Sequence, residues 1–145
     1  QAERLRELMV LRVDASFSFA NAEYLQTFIL DKSEHEDRPV RAVVVDGSSI
    51  NDLDTTAIEA LLSVTNRLEE IGIELHLTGL IGPVRETVRR SGLHALLGEE
   101  RFHLTPHHAV VSVLERLDTE EGTNLLADYA NKTGPAEKEP TPVAT

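Results

Sequence analysis

The stretch VVVDGSSINDLDTTAIEALL, residues 43–62, holds the transition around which the rest of the chain is organised. Strand-forming valines run into Asp46, a small polar turn follows at Gly47-Ser48-Ser49, and a helix begins at Asp54-Thr55-Thr56. A buried strand that delivers an acid and hydroxyls to a helix N-terminus forms an anion-facing corner. Free backbone N–H groups and the positive end of the helix dipole converge there. Asp46, Ser48, Ser49, Asp54, Thr55 and Thr56 are therefore the candidate ligand- or partner-binding residues. The competing explanation is plain capping, in which Asp54 or Thr56 closes the helix start and Glu59 completes a capping box on Thr56.

Downstream of the corner, Ala57, Leu61, Val64, Leu68 and Ile71 recur at helical spacing, with Ile58 and Leu62 widening the stripe. Gly72 then closes the helix as a left-handed cap. Residues 73–78, IELHLT, alternate as a strand, with Ile73, Leu75 and Leu77 inward and Glu74, His76 and Thr78 outward. Gly82-Pro83 opens a third helix, anchored by Val84 and Val88 and capped by Gly92. A short turn at residues 93–97 and a short last strand at 101–104 follow. Thr105-Pro106 then starts a final helix through Val110, Val113, Leu114 and Leu117.

Upstream, AVVVD at residues 42–46 is continuously apolar until its acid, as a central strand buried on both faces requires. The charged loop before it, residues 33–39, contains Pro39 and ends any preceding helix. That helix is expected to start at an Asn21 cap, carry Ala22, Leu25, Phe28 and Ile29, and run to about Lys32. LMVLRV, residues 8–13, is the first strand, with Met9, Leu11 and Val13 on one face.

Strand and helix in alternation predict an α/β protein, with a mainly parallel sheet of four to five strands. The first and third long strands keep a polar face, so the helices are expected to lie largely on one face of the sheet. Residues 8–117 form the predicted domain, residues 1–7 a linker, and residues 118–145 an acidic, proline-containing tail, disordered from about 134.

Composition narrows the function classes. A chain of 145 residues is one ordinary domain, and without cysteine it has no disulfide framework, thiolate metal site or cysteine nucleophile. Its net charge of −11 disfavours nucleic acid and anionic lipid as partners. No run of about 18 apolar residues offers a membrane span, and no secretory leader pattern opens the sequence.

Motifs for chemistry are scarce. His103, His107 and His108 cluster near the last helix, but adjacent side chains diverge by about a third of a turn, which argues against a metal site. No Walker loop or GxSxG elbow is present, and GLIG at residues 79–82 is too short for a dinucleotide fingerprint. Arg85, Arg89 and Arg90 read as a solvated face offsetting an acidic domain. These features predict a binding or regulatory module without catalysis, cofactor or metal.

Three blocks carry a family resemblance. LMVLRVDASFSFANAEYL at residues 8–25, VVVDGSSINDLDTT at residues 43–56, and GPVRETVRRSGL at residues 82–93 followed by FHLTPHHAV together resemble a STAS domain. The opening block, with its FANAE signature at Phe19 to Glu23, resembles specifically the STAS domains of SulP anion transporters. The resemblance implies the STAS fold, a strand–helix superhelix. It also implies a C-terminal domain on the cytoplasmic side of the plasma or inner membrane, serving a sulfate- or bicarbonate-class transporter. Implied partners are the transporter's own transmembrane domain, a second copy of the domain, or a cytosolic regulatory protein. In soluble anti-sigma-factor antagonists, the alternative class, the residue after the loop's aspartate is a serine phosphorylated by a partner kinase. Here Asp54 matches the aspartate and Thr55 stands at the acceptor position, a departure from serine. The resemblance also admits a nucleotide at this corner, although no motif in the sequence establishes one.

Overall fold

Every residue of the middle strand is buried, and the fold is built outward from it. In a computed structural model, residues 3–5, 7–14, 17–34, 40–133 and 142–143 are described. The elements in chain order are β1 (Glu3–Leu5), β2 (Leu8–Val13), α1 (Phe19–Glu34), β3 (Ala42–Asp46), α2 (Thr55–Glu70) and β4 (Glu74–Thr78). They continue as α3 (Gly82–Ser91), α4 (Leu93–Leu97), β5 (Phe102–His103), α5 (Pro106–Glu121), α6 (Leu125–Thr133) and β6 (Pro142–Val143). The sheet order is β1-β2-β3-β4-β5, with β6 also paired to β2. Strands β2 to β5 are mutually parallel, and β1 is antiparallel to β2.

Register explains how the two sides of the sheet are used. Val43 lies between Met9 and Leu75, and Val45 between Leu11 and Leu77. These residues floor the larger core, covered by Leu25 and Ile29 of α1, Leu61 and Leu68 of α2, and Val84 and Val88 of α3. On the opposite side, Leu8, Val10, Ala42 and Val44 pack under Val113, Leu114 and Leu117 of α5 and Leu125 and Tyr129 of α6. The larger core thus sits beneath α1 to α4, in keeping with helices largely on one face, while α5 and α6 take the other. Each fully buried leucine in such a core contributes on the order of 1.5–3 kcal/mol of transfer free energy.

Several boundaries differ from expectation for identifiable reasons. Helix α1 begins at Phe19, and the Ser18 carbonyl accepts from the Ala22 amide at 3.0 Å, so Asn21 lies inside the first turn. The predicted linker at residues 1–7 supplies β1, which pairs through Glu3↔Val10 and Leu5↔Leu8. Secondary structure also continues past Leu117. Helix α5 runs to Glu121, Gly122 turns in a left-handed conformation, and α6 follows. The Asp118 carboxylate holds that corner, accepting from the amides of Leu125 at 2.7 Å and Leu126 at 3.0 Å and from the Thr123 hydroxyl at 2.6 Å. Expected disorder from residue 134 falls outside the described residues, apart from Pro142 and Val143, which pair with Arg12 and Val13.

Candidate functional site

The corner at the end of β3 is built by short-range polar contacts over apolar plugs. Asp46 is buried, and its Oδ1 accepts from the Ser48 amide at 3.0 Å. The Gly47 amide donates to the Thr78 carbonyl at 2.9 Å, and the Ile50 amide to the Gly47 carbonyl at 3.1 Å, which closes the turn. Ile50 and Leu53 are buried, pinning the loop to the core, while Ser48 and Ser49 stay exposed. Gly79 crosses the same corner with a φ of +70°, and a Cβ there would come within 3.0 Å of the Ser48 Cβ. Glycine is required at that position on both counts.

Asp54 is the N-cap of α2. Its Oδ1 accepts from the Ala57 amide and from the Thr56 hydroxyl, each at 2.8 Å. The Ala57 amide, followed by the Thr56 hydroxyl, holds the Asp54 carboxyl below its ordinary value of 3.8. Capping by Asp54 is therefore real, whereas the alternative box built on Thr56 and Glu59 does not form, because Thr56 already lies inside the first turn. One anion thus already occupies the helix N-terminus.

All six sequence-predicted residues lie on this corner, but in two separate groups. Asp46 bonds with the turn amide of Ser48, and Asp54 with Thr56 and Ala57. Asp46 is structural by its burial; Ser48, Ser49, Asp54, Thr55 and Thr56 are exposed. Thr55 occupies the first helical position. It also lines a groove of about 430 Å³ between α2 and α3, with Leu53, Ile58, Leu62 and Arg90. A hydroxyl so placed is open to a partner, and beside it the groove offers an apolar wall and a guanidinium.

A second polar cluster was missed in the sequence. Glu74, His76 and Thr78 alternate with the core residues of β4, yet they face the α5 side rather than solvent, and His76 and Thr78 are buried. His76 Nε2 bonds to Glu74 Oε1 at 3.0 Å, and His76 Nδ1 to His103 Nε2 at 3.0 Å. Arg116 of α5 grips the Glu74 carboxylate with two N–H groups, one of them at 2.8 Å from Oε2. Burial by itself would raise the Glu74 carboxyl, but the bonds from His76 and Arg116 outweigh it and hold the group at about 2. His76 is pushed down by burial, against the pull of Glu74. His103 is pushed down to about 4 by burial and by its neighbours His76 and His108. His103, His107 and His108 do not converge. His103 turns to His76 and His107 to the Tyr129 hydroxyl at 2.9 Å, and no metal-holding group of three occurs among the described residues.

Comparison with known proteins agrees with this architecture. The family model for the STAS domain matches residues 1–109. A probable sulfate transporter of Arabidopsis thaliana is 26% identical over 78% of the chain, and one of Mycobacterium tuberculosis is 30% identical over 80%. The chain spans only 18% and 21% of the lengths of these two relatives. Among solved structures, the STAS domain of a SulP transporter from Vibrio cholerae superposes with a TM-score of 0.68 at 19% identity, covering 81% of this chain and 88% of that one. A putative anti-sigma factor antagonist from Thermotoga maritima gives 0.57 at 10% identity, covering 76% and 90%. The chain belongs to the STAS domain family.

Proposed function

We propose that this chain is the regulatory and interaction domain of a SulP-family secondary anion transporter of the sulfate or bicarbonate class, and that it works on the cytoplasmic side of the plasma or inner membrane. One observation carries the reading: about four-fifths of the chain aligns with sulfate transporters, while it spans about a fifth of their length. That is the relation of a module to a larger protein. No helix among the described residues is long and apolar enough to cross a membrane, so in this reading the transport path belongs to another part of the protein. The domain acts through contacts rather than catalysis, and its partners are the transmembrane domain of its own transporter, a second copy, or a cytosolic regulatory protein.

The contact surface we assign is the corner of Ser48, Ser49, Asp54, Thr55 and Thr56, supported from below by Asp46. A charge added at Thr55 sits beside the helix N-terminus, where the dipole tolerates it, so the fold survives while the surface a partner meets changes sharply. The test is anion uptake by vesicles carrying the full-length transporter at matched protein amounts, wild type against Thr55→Glu. Altered uptake with an intact melting curve supports the corner as a regulatory surface; unchanged uptake reduces Thr55 to a helix-start residue.

A free-standing phospho-switch of the anti-sigma-antagonist type is the second reading. It is favoured by the exposure of Thr55 directly after Asp54 and by the likeness in fold to the Thermotoga protein. Membrane-spanning segments encoded in the same reading frame would exclude it.

A further inference from the structure

The sequence treats Arg85, Arg89 and Arg90 as one solvated face, but the fold divides them. Arg90 turns toward Glu86 and the α2–α3 groove. Arg85 and Arg89, one helical turn apart, line a separate cleft of about 360 Å³ where α3, α4 and β5 meet, together with His94, Glu99 and His103. Arg85 donates one N–H to the Leu80 carbonyl at 2.9 Å, which steadies its guanidinium and leaves its other donors. Arg89 makes no hydrogen bond or ion pair among the described residues. Glu99 is the one acid on the lining, and His94 engages it at 2.7 Å. In a chain of net charge −11, this is a local concentration of donors suited to an anion.

His103 adds a requirement of a different kind, set from inside the protein. The Glu74 carboxylate, fixed by Arg116, can only accept, so His76 must carry its proton on Nε2. The Nδ1 of neutral His76 is then an acceptor, and His103 must donate to it from Nε2. The two rings, 5.2 Å apart with planes tilted by 28°, have the separation of an in-plane N–H···N bond. It follows that Nδ1 of neutral His103 carries a lone pair. The titratable and charged groups around the ring are His76 on β4 and His108 on α5, with Arg85 and Arg89 on α3, His94 on α4 and Glu99 after it lining the same cleft. The depressed titration of His103, to about 4, agrees with a neutral ring near pH 7.

The cleft therefore combines guanidinium donors with an imidazole acceptor at His103 whose tautomer is fixed from inside the protein. Sulfate near neutral pH offers only acceptor oxygens, so it meets the arginines and confronts the lone pair of His103. Hydrogen phosphate and bicarbonate also have oxygens for the arginines, and each keeps an O–H that Nδ1 can accept. We propose that the cleft between α3, α4 and β5 binds small oxyanions that retain an acidic O–H, and that the Glu74–His76–His103 chain makes it select them over fully deprotonated anions such as sulfate. His103 and the arginines contact the anion; Glu74 and His76 are positioning residues that fix the tautomer.

Calorimetric titration of the purified chain at pH 7 and constant ionic strength, with inorganic phosphate and with sulfate, tests this directly. Phosphate is expected to bind about 10-fold or more tightly than sulfate, the size of one hydrogen bond gained in a half-open site. Arg89→Ala should weaken both anions by a similar factor. Glu74→Gln, whose amide can donate to His76 and reverse the tautomer, should bring the two affinities within roughly 2-fold. His103→Phe keeps the ring and removes the acceptor, so it must also abolish the preference, and it decides the matter should Glu74→Gln fail to fold. Equal affinities in the wild type, no binding of either anion, or a preference that persists in His103→Phe would each overturn the proposal.

Discussion

Strands β3 and β4 lie side by side in register, with Ala42 opposite Glu74, Val44 opposite His76 and Asp46 opposite Thr78. On the α1–α4 side they are equivalent, since Val43 and Val45 meet Leu75 and Leu77 in one apolar floor. On the α5 side they differ. There β3 presents Ala42 and Val44 to an apolar core, while β4 presents Glu74 and His76 to each other, to Arg116 and to His103. The difference follows position in the sheet. The middle strand is covered by long helices on both faces, whereas β4 neighbours the two-residue strand β5 and lies close to two clefts. Glu74 and His76 are tolerable there because each finds a partner, whereas the buried Thr78 hydroxyl has none among the described residues.

The apolar side shared by both strands should show the largest effect. Leu68 of α2 is fully buried, so Leu68→Ala should cost about 2–5 kcal/mol by chemical denaturation. A change below about 0.5 kcal/mol, the scale of a surface substitution, would mean that α2 is not the cover of this floor.

The α5–α6 side should respond next. Tyr129 is 6% exposed and bonds to His107, so Tyr129→Ala should cost about 3 kcal/mol. A loss of that size would make residues 118–133 an integral part of the domain; an unchanged midpoint in urea would restore a boundary near Leu117.

Acid acts on the α5 side of β4, where Glu74, His76 and their β5 partner His103 have displaced titration. Between its ordinary value of 6.5 and about 4, folded His103 binds fewer protons than the unfolded chain, so its contribution is lost as pH falls through that window. Discounted for a ring that is only partly buried, the loss is about 1 kcal/mol. Glu74 adds a second loss as pH falls from 4.5 to about 2. Melting curves from pH 7 to 4.5 should decline by several degrees, and His103→Phe should flatten them; a wild-type curve that is already flat contradicts the pairing.

The corner at the end of β3 should give the smallest changes. Asp54→Ala removes the α2 cap and should lower stability by about 1 kcal/mol. Thr55→Glu, at an exposed first helical position, should leave the melting midpoint within a few degrees, with at most about 0.5 kcal/mol gained from the dipole. A collapse of the fold would show that Thr55 cannot carry a switch.

Much of this architecture was legible because it rests on local rules. The valine run of β3, the stripe of α2, and the glycine and proline that bound α3 each have one common structural solution. That the six named residues share one corner was legible for the same reason, since all of them fall between positions 46 and 56. Glu74, His76 and His103 were not, because alternation along β4 identifies two faces without saying what covers the second. His76 meets His103 across 27 residues, and nothing in either neighbourhood announces the pairing. Helix α6 escaped notice because its buried anchors, Leu125 and Tyr129, form only one turn of periodicity after a stretch rich in acids. The Arg85–Arg89 pair needed the third dimension to be told apart from Arg90.

Strands β1 and β6 meet β2 on the same flank, β1 along residues 8–10 and β6 along residues 12–13. Between them they occupy most of the backbone donors and acceptors that β2 would otherwise present. The opposite flank ends in β5, two residues long and too short to template another chain. A sheet whose flanks both end in strands of two or three residues resists strand exchange with its neighbours. Copies of the domain held at high local density should therefore recognise one another through side-chain surfaces, and their association should remain reversible.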